Sequence, residues 1–317
     1  MTGKFDVPIL FIIFKRKDTV LQVIDAIAKV KPEKLYISQD GPRNKKEEKD
    51  VLETRKAVLS RINWDCKLTF WEHKKNLGLK KHIPEAFDKF FEKEEYGIYL
   101  EDDTLPCEDF FYFQRELLKK YKNDKRIFSI NGTNFYPRKD DDSLFGLTQI
   151  ANVWGMGIWK RSWKLYDPDP IKPYISYQDY KDFVFSRKYL VYLEFFLNLI
   201  GLRKLNTWDY QLAYASVKNR MYSIKPSVNL VTNLGINKGT NYFLQDYTFA
   251  FGGTRNMDGL KKNSDLPSYS KLEDQVYFDS FYSNFYIRIL LNIVYYSLPY
   301  NFIRILRSFS RNNSVVI

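Results

Sequence analysis

Tyr96-Gly97-Ile98-Tyr99-Leu100-Glu101-Asp102-Asp103-Thr104-Leu105-Pro106 is the stretch on which the reading of this chain turns. An apolar run with the character of a buried strand ends in three adjacent carboxylates. Three like charges repel, so the triplet favours no fold by itself; such clusters persist where a cation neutralises them. A hard divalent ion held by one or two carboxylates completes its shell with water and substrate phosphates. The triplet therefore points to Mg2+- or Mn2+-assisted handling of a diphosphate. The plainer alternative is a solvated acidic turn.

Upstream of the triplet, strand and helix alternate. Residues 7–14 are apolar and read as a first buried strand. Residues 18–28 carry Val20, Ile24 and Ile27 at helical spacing. Lys34-Leu35-Tyr36-Ile37-Ser38 reads as a second strand, stopped by Asp40-Gly41-Pro42. Residues 44–62 form a charged helix, 67–71 a third strand, and 79–93 a helix that leads into the acidic strand. This alternation predicts a mainly parallel sheet covered by helices. Ligands of such sheets bind beyond the carboxyl ends of the strands. Asp40, Asn76 and Glu101–Asp103 all fall at strand ends, so one crevice can collect them.

The whole-chain balance narrows the partners. The chain has 317 residues, 44% hydrophobic and 17% aromatic, which is too apolar for a disordered polymer. Its formal net charge of +12 fits an anionic partner. No basic block with interleaved aromatics and no zinc-finger spacing is present, so nucleic acid is not the expected partner. Cys66 and Cys107 are the only cysteines, which points to a reducing compartment, with one disulfide between them as the alternative. There is no signal-peptide pattern and no apolar run of transmembrane length. The expected location is cytoplasmic.

Downstream the pattern changes. Residues 109–121 read as a helix and 127–130 as a strand, followed by turn-rich Asn131-Gly132-Thr133-Asn134. Residues 138–143 are a charged loop, and residues 167–180 are a Pro-rich connection. From Phe281 onward there is no Asp or Glu, while Arg288, Arg304, Arg307 and Arg311 are present. Phe302, Ile305, Leu306 and Phe309 share one helical face. Residues 285–311 therefore read either as a helix pair packed on the core or as an interfacial anchor on anionic lipid, peripheral on the inner face of the cytoplasmic membrane. The division expected is a domain over 1–250, with a nucleotide half to about 105 and an acceptor half from 106, and an extension over 251–317.

Five motifs, in order, resemble a GT-A glycosyltransferase of the N-acetylglucosaminyltransferase I type and its bacterial relatives. They are Pro8-Ile9-Leu10-Phe11-Ile12-Ile13-Phe14-Lys15-Arg16, Ile37-Ser38-Gln39-Asp40-Gly41, and Tyr99-Leu100-Glu101-Asp102-Asp103 with Asp109-Phe110-Phe111-Tyr112-Phe113. Trp154-Gly155-Met156-Gly157-Ile158-Trp159 and Thr207-Trp208-Asp209-Tyr210 complete the set. The resemblance implies a GT-A fold and a UDP-sugar donor. It makes Asp103 the direct ligand of Mn2+ or Mg2+, places Asp102 on the donor sugar, and places Glu101 on ribose or sugar hydroxyls. Arg16 would pair with nucleotide oxygens, Asp40 would contact the uracil, and Asp209 would be the base of an inverting transfer. The acceptor implied is a saccharide or lipid-linked saccharide of bacterial surface-polysaccharide or lipopolysaccharide synthesis. The family has paired acids after the Trp, whereas this chain has only Asp209 before Tyr210, so Asp179 and Asp182 stand as alternative bases and an N-cap role for Asp209 stays open. Asn233–Asn241 resembles the family's lid, with Asn241 where relatives often carry a His. Lys80 and Lys81 are a further pair that phosphate could use.

Two other functions stay open. A sugar nucleotidyltransferase would use the same sheet and diphosphate chemistry, but it usually carries a glycine-rich, basic loop after the first strand, and Lys15-Arg16-Lys17-Asp18 has no glycine. A non-catalytic nucleotide-sugar-binding protein would not need the intact triplet.

Overall fold

The computed structural model describes residues 5–135, 144–170, 172, 174–235 and 266–282. The 138–143 loop, residues 236–241 of the glycine-rich stretch and the 285–311 tail lie outside the described residues. The first part of the chain runs β1 (Ile9–Ile13), α1 (Lys17–Val30), β2 (Lys34–Gln39), α2 (Lys45–Arg61), β3 (Lys67–Glu72), α3 (Leu79–Phe91) and β4 (Tyr96–Glu101). It continues through β5 (Thr104–Pro106), α4 (Glu108–Lys120), β6 (Ile127–Asn131), β7 (Phe145–Thr148) and β8 (Met156–Trp159). The rest is α5 (Lys160–Trp163), α6 (Tyr177–Tyr180), α7 (Arg187–Gly201), α8 (Asp209–Lys218), β9 (Tyr222–Pro226), β10 (Val231–Asn233) and α9 (Lys271–Tyr282).

Eight strands form one sheet in the order β3-β2-β1-β4-β8-β6-β9-β7, with β8 and β7 running against the others. This is the mainly parallel α/β sheet flanked by helices that the strand–helix alternation predicts, a Rossmann-like arrangement. The inner strands are buried on both faces, which is why β1 reads as an unbroken apolar run. Ile9, Phe11, Ile13, Ile98 and Leu100 pack into one core cluster with Val20 and Ile24 of α1 and Phe110 and Leu117 of α4. Their alternates Leu10, Ile12, Tyr36 and Tyr99 pack on the other side with Phe87 and Phe90 of α3 and Leu212 of α8. A third cluster joins α7, α8 and α9 through Tyr189, Val217 and Phe278.

Several elements escape the sequence reading, β7, α7 and β9 among them, and two bear on how the sheet is completed. The glycine-aromatic segment 154–159 contributes β8, a central antiparallel strand between β4 and β6. Gly155, at a φ of 65°, makes the turn into it and packs on Phe110 and Val231, where a side chain would be both strained and crowded. Helix α9 lies beyond the expected 250/251 boundary, yet its Asp274 is fully buried against the sheet's far edge. It accepts hydrogen bonds from Thr148 Oγ1 at 2.7 Å, Gln149 N at 2.7 Å and Tyr269 Oη at 3.0 Å. Cys66 and Cys107 are free thiols.

Candidate active site

In the strand order 3-2-1-4 the chain reverses direction of travel across the sheet between β1 and β4, and ligands of open α/β sheets bind at such switch points. Arg16 follows β1 and Glu101–Asp103 close β4, so the sequence's two most distinctive charged features meet at that point. The β1–α1 connection is only Phe14-Lys15-Arg16. Its brevity keeps Arg16 at the carboxyl end of β1, beside the end of β4. The Arg16 Nη1 group donates to the Asp103 Oδ2 atom and lies 3.5 Å from Asp102 Oδ1. The Phe14 backbone N–H donates to Asp102 Oδ2 at 3.1 Å. The cation that the triplet demanded from sequence is thus supplied, within this chain, by a guanidinium.

One guanidinium does not balance the cluster. Burial first, and then the Asp103 charge, push the Glu101 carboxyl up to about 8. The same two causes push Asp102 up to about 7, against the pull of Arg16 and the Phe14 N–H. The donor set is carboxylate oxygen only, which is the chemistry a hard divalent ion takes. Among the described residues no three His, Cys, Asp or Glu side chains converge as a cage. Asp103, beside Arg16 and Gly235, is the carboxylate that could hold Mg2+ or Mn2+.

The second wall comes from β10. It pairs antiparallel with β5, with Asn233 opposite Thr104, and the Leu234 N–H donates to the Asp103 carbonyl at 2.7 Å. Gly235 then rests directly against the Asp103 carboxylate, in space that any side chain would take. The start of the glycine-rich stretch is accordingly at the acid cluster.

Asp209 arrives from a different part of the chain. It is the first residue of α8, with Trp208 as the N-cap, so its carboxyl sits at the helix N-terminus without itself being the capping residue. Trp208 is buried and wedged 5.3 Å from Tyr99, which fixes where the helix begins. The Thr207 hydroxyl donates to Asp209 Oδ1. Burial raises the Asp209 pKa, against that hydrogen bond, and its charge is felt by Glu101. Trp208 against Tyr99 brings the start of α8 up to β4, the strand that ends in the triplet. Asp179 and Asp182 are exposed, Asp179 accepting from the Ser176 side chain at 2.8 Å and Asp182 pairing with Arg220 at 2.6 Å.

Asp40, at the end of β2, is buried and already holds its own loop. Its carboxylate accepts from Gly41 N, Leu77 N, Gly78 N and Asn76 Nδ2 at 2.8–3.0 Å. Lys80 is committed as well, its ammonium 2.6 Å from Asp169. Its backbone N–H donates to Asn206 Oδ1 at 2.9 Å, so the loop before Asp209 caps the start of α3. Asn206, Thr207 and Gly235 are the site residues that sequence reasoning missed or left without a role. Their signal is contact between segments far apart in sequence, which no local pattern carries.

No protein-family model matches the chain, and no curated protein matches it by sequence. Among solved structures it is similar to A197 from STIV, at 12% identity and a TM-score of 0.33, over 71% of this chain and 83% of that one. It is similar to UDP-glucose pyrophosphorylase complexed with UDP-glucose, at 9% identity and a TM-score of 0.36, over 69% and 90%. A third is 4-diphosphocytidyl-2C-methyl-D-erythritol synthase from Anaerococcus prevotii, at 12% identity and a TM-score of 0.29, over 56% and 84%. Likenesses this loose do not decide what the present chain binds or does.

Proposed function

We propose that this protein is a metal-dependent, inverting glycosyltransferase of GT-A type that moves a sugar from a UDP-sugar to a saccharide acceptor. The observation that carries the reading is the pairing of Arg16 with Asp102 and Asp103 at the β1/β4 switch point, with Gly235 against Asp103 and Trp208, next to Asp209, against Tyr99 of β4. Mg2+ or Mn2+ at Asp103 would neutralise the leaving diphosphate. Arg16 would turn from the carboxylates to the nucleotide's phosphate oxygens as they enter. Asp102, held by the Phe14 N–H, and Glu101 would accept hydrogen bonds from donor-sugar and ribose hydroxyls. Asp209 would take the proton of the attacking hydroxyl, its basicity raised by burial. The aromatic wall of Trp208 and Tyr99 would keep water from the reacting centre. Asp40 would serve the base site through the loop it holds. The resemblance further implies an acceptor in surface-polysaccharide or lipopolysaccharide assembly.

A nucleotidyltransferase is disfavoured by the glycine-free three-residue connection after β1. The deciding experiment is a thermal-shift screen of UDP-sugars with Mn2+, followed by product analysis with a panel of p-nitrophenyl glycosides as acceptors. Release of UDP with a new glycoside supports the reading; pyrophosphate exchange with UTP overturns it. Asp209→Asn is expected to leave the thermal shift nearly unchanged and to slow transfer by ~100-fold or more. A lipid-linked acceptor would account for the arginine-bearing end of the chain. Co-sedimentation with anionic liposomes, lost on deleting residues 300–317 and weakened by salt, is the test of that extension. Among the described residues no helix is long and apolar enough to cross a membrane.

A further inference from the structure

Helix α7 is apolar on almost every side, yet it lies at the surface. Between Tyr189 and Ile200 only Glu194 and Asn198 are neither aliphatic nor aromatic. Its inner face packs Tyr189, Leu190 and Leu193 into the third core cluster. A surface helix ordinarily turns charged and polar residues to water on the opposite side. The outward row of α7 is instead Arg187, Val191, Phe195, Asn198 and Leu202, three or four residues apart and therefore on one face. Val191 is 39% and Leu202 68% exposed, and Phe195 is half-buried. The Asn198 amide turns back to the Glu194 carbonyl at 2.8 Å, so it serves the helix's own backbone. Glu194 is the one acid on the helix, and it is half-buried.

Exposed apolar residues scattered singly are ordinary. This row is set apart by its two ends, which are both basic. Exposed Arg187 and Lys188 open it, and exposed Arg203 and Lys204 follow directly on Leu202. The Lys204 N–H donates to the Leu199 carbonyl at 2.8 Å, so the chain turns tightly there and keeps both cations at the helix end. Lys188 lies 3.7 Å from Asp279 of α9, whereas Arg187, Arg203 and Lys204 make no ion pair among the described residues. A second copy of the chain is a poor occupant, because two such faces laid together in either direction bring cation against cation. An apolar row between basic ends is the pattern of a helix lying in the interface of an anionic bilayer. The net charge of +12 acts in the same direction. We infer that α7 docks on an anionic lipid surface, with Val191, Phe195 and Leu202 entering the interface and Arg187, Arg203 and Lys204 meeting the headgroup phosphates. Residues 202–204 run through Leu205 and Asn206 straight into Thr207-Trp208-Asp209, so docking sets the start of α8 beside the membrane. A route for a lipid-linked acceptor toward Asp209 rests on the proposed function; the docking itself does not.

The test is co-sedimentation of the full chain, tail included, with vesicles of phosphatidylcholine alone and of phosphatidylcholine with phosphatidylserine. Wild type is expected to bind the anionic vesicles, to bind the neutral ones far less, and to be released by salt. The double variant Arg203→Gln, Lys204→Gln is expected to lower binding to anionic vesicles ~10-fold or more, the scale of two basic residues near such a surface. Val191→Gln with Leu202→Gln is expected to lower it on both kinds of vesicle. Circular dichroism and Tm of the four-substitution set should stay native, because the replaced side chains are exposed. Should the apolar pair lower Tm, the basic pair still decides. Binding of both double variants at wild-type level would overturn the docking and leave the tail as the anchor. Equal wild-type binding to neutral and anionic vesicles, or to neither, would overturn it as well. A wild-type dimer in size-exclusion chromatography that Leu202→Gln dissociates, without vesicle binding, would give the face to a second copy and refute the lipid assignment. Docking with no transfer from any UDP-sugar would refute the proposed function alone.

Discussion

Gly235 is a glycine because the Asp103 carboxylate lies where a side chain would start. Gly235→Ala is therefore expected to displace Asp103 and to cost most of the Mn2+-dependent nucleotide thermal shift. Asp103→Asn should abolish that shift outright while circular dichroism stays native, since Arg16 keeps Asp102 as a partner. The neighbouring Glu101 makes a pH prediction. Its proton is held in the folded state up to about pH 8, whereas the unfolded chain releases it near 4.5. The folded state therefore binds more protons across that window, and stability falls as pH rises through it. In the presence of chelator, the wild-type Tm should drop between pH 6.5 and 8.5. Glu101→Gln should flatten that drop, and a pH-independent difference between the two proteins would show that Glu101 does not titrate as described. The triplet was legible as residues because charge at the end of an apolar run is a local signal, whereas Arg16 and Asp209 stood out only through motifs that resemble a known family. That Arg16 would pair with the acids themselves was not legible, because the partner lies 87 positions along the chain.

At the scale of elements, α3 is locked to β2 by a buried pair. His82 Nε2 and Ser38 Oγ lie 2.8 Å apart, and burial depresses the His82 pKa to about 4. As pH falls, the unfolded chain protonates first, near 6.5, so this contact's stability is present above that value and is lost on the way down to 4. His82→Gln removes the titration. Wild type should be the more stable at pH 7, and the gap in Tm should close by pH 4.5; a gap that widens would contradict the neutral, buried imidazole. The parallel half of the sheet was readable because its strands are long apolar runs, each followed by an amphipathic helix. The strand β8 was not, since four residues with a glycine among them carry no usable period. Gly157 is needed there because the Gln114 side chain from α4 fills the place of its Cβ.

At the scale of the molecule, α9 packs on α7 and α8 through Tyr277 and Phe278, and its buried carboxylate, Asp274, ties it to the edge of the sheet. Asp274→Ala would leave Thr148 Oγ1, the Gln149 N–H and Tyr269 Oη without their acceptor, in a fully buried place. The expected loss is about 3 kcal/mol or more. Urea unfolding measures it, and a loss under 1 kcal/mol, within the range of an ordinary surface change, would show that α9 is not part of the cooperative unit. Truncation before residue 266 should destabilise the protein in the same way, whatever the role of the residues beyond 282.

By itself the sequence determined the class of the fold, the parallel order of events up to β4, and the identity of the acids at the strand end. Each of these follows from burial periodicity and charge, which are properties of neighbouring residues. Only the tertiary structure decided that β1 and β4 lie side by side, that β8 intervenes before β6, that Gly235 rests against Asp103, and that Trp208 comes up to Tyr99. Those outcomes depend on which strand edges pair and on how Trp208 wedges against Tyr99. They are contacts between distant segments, and no stretch of the chain encodes them alone.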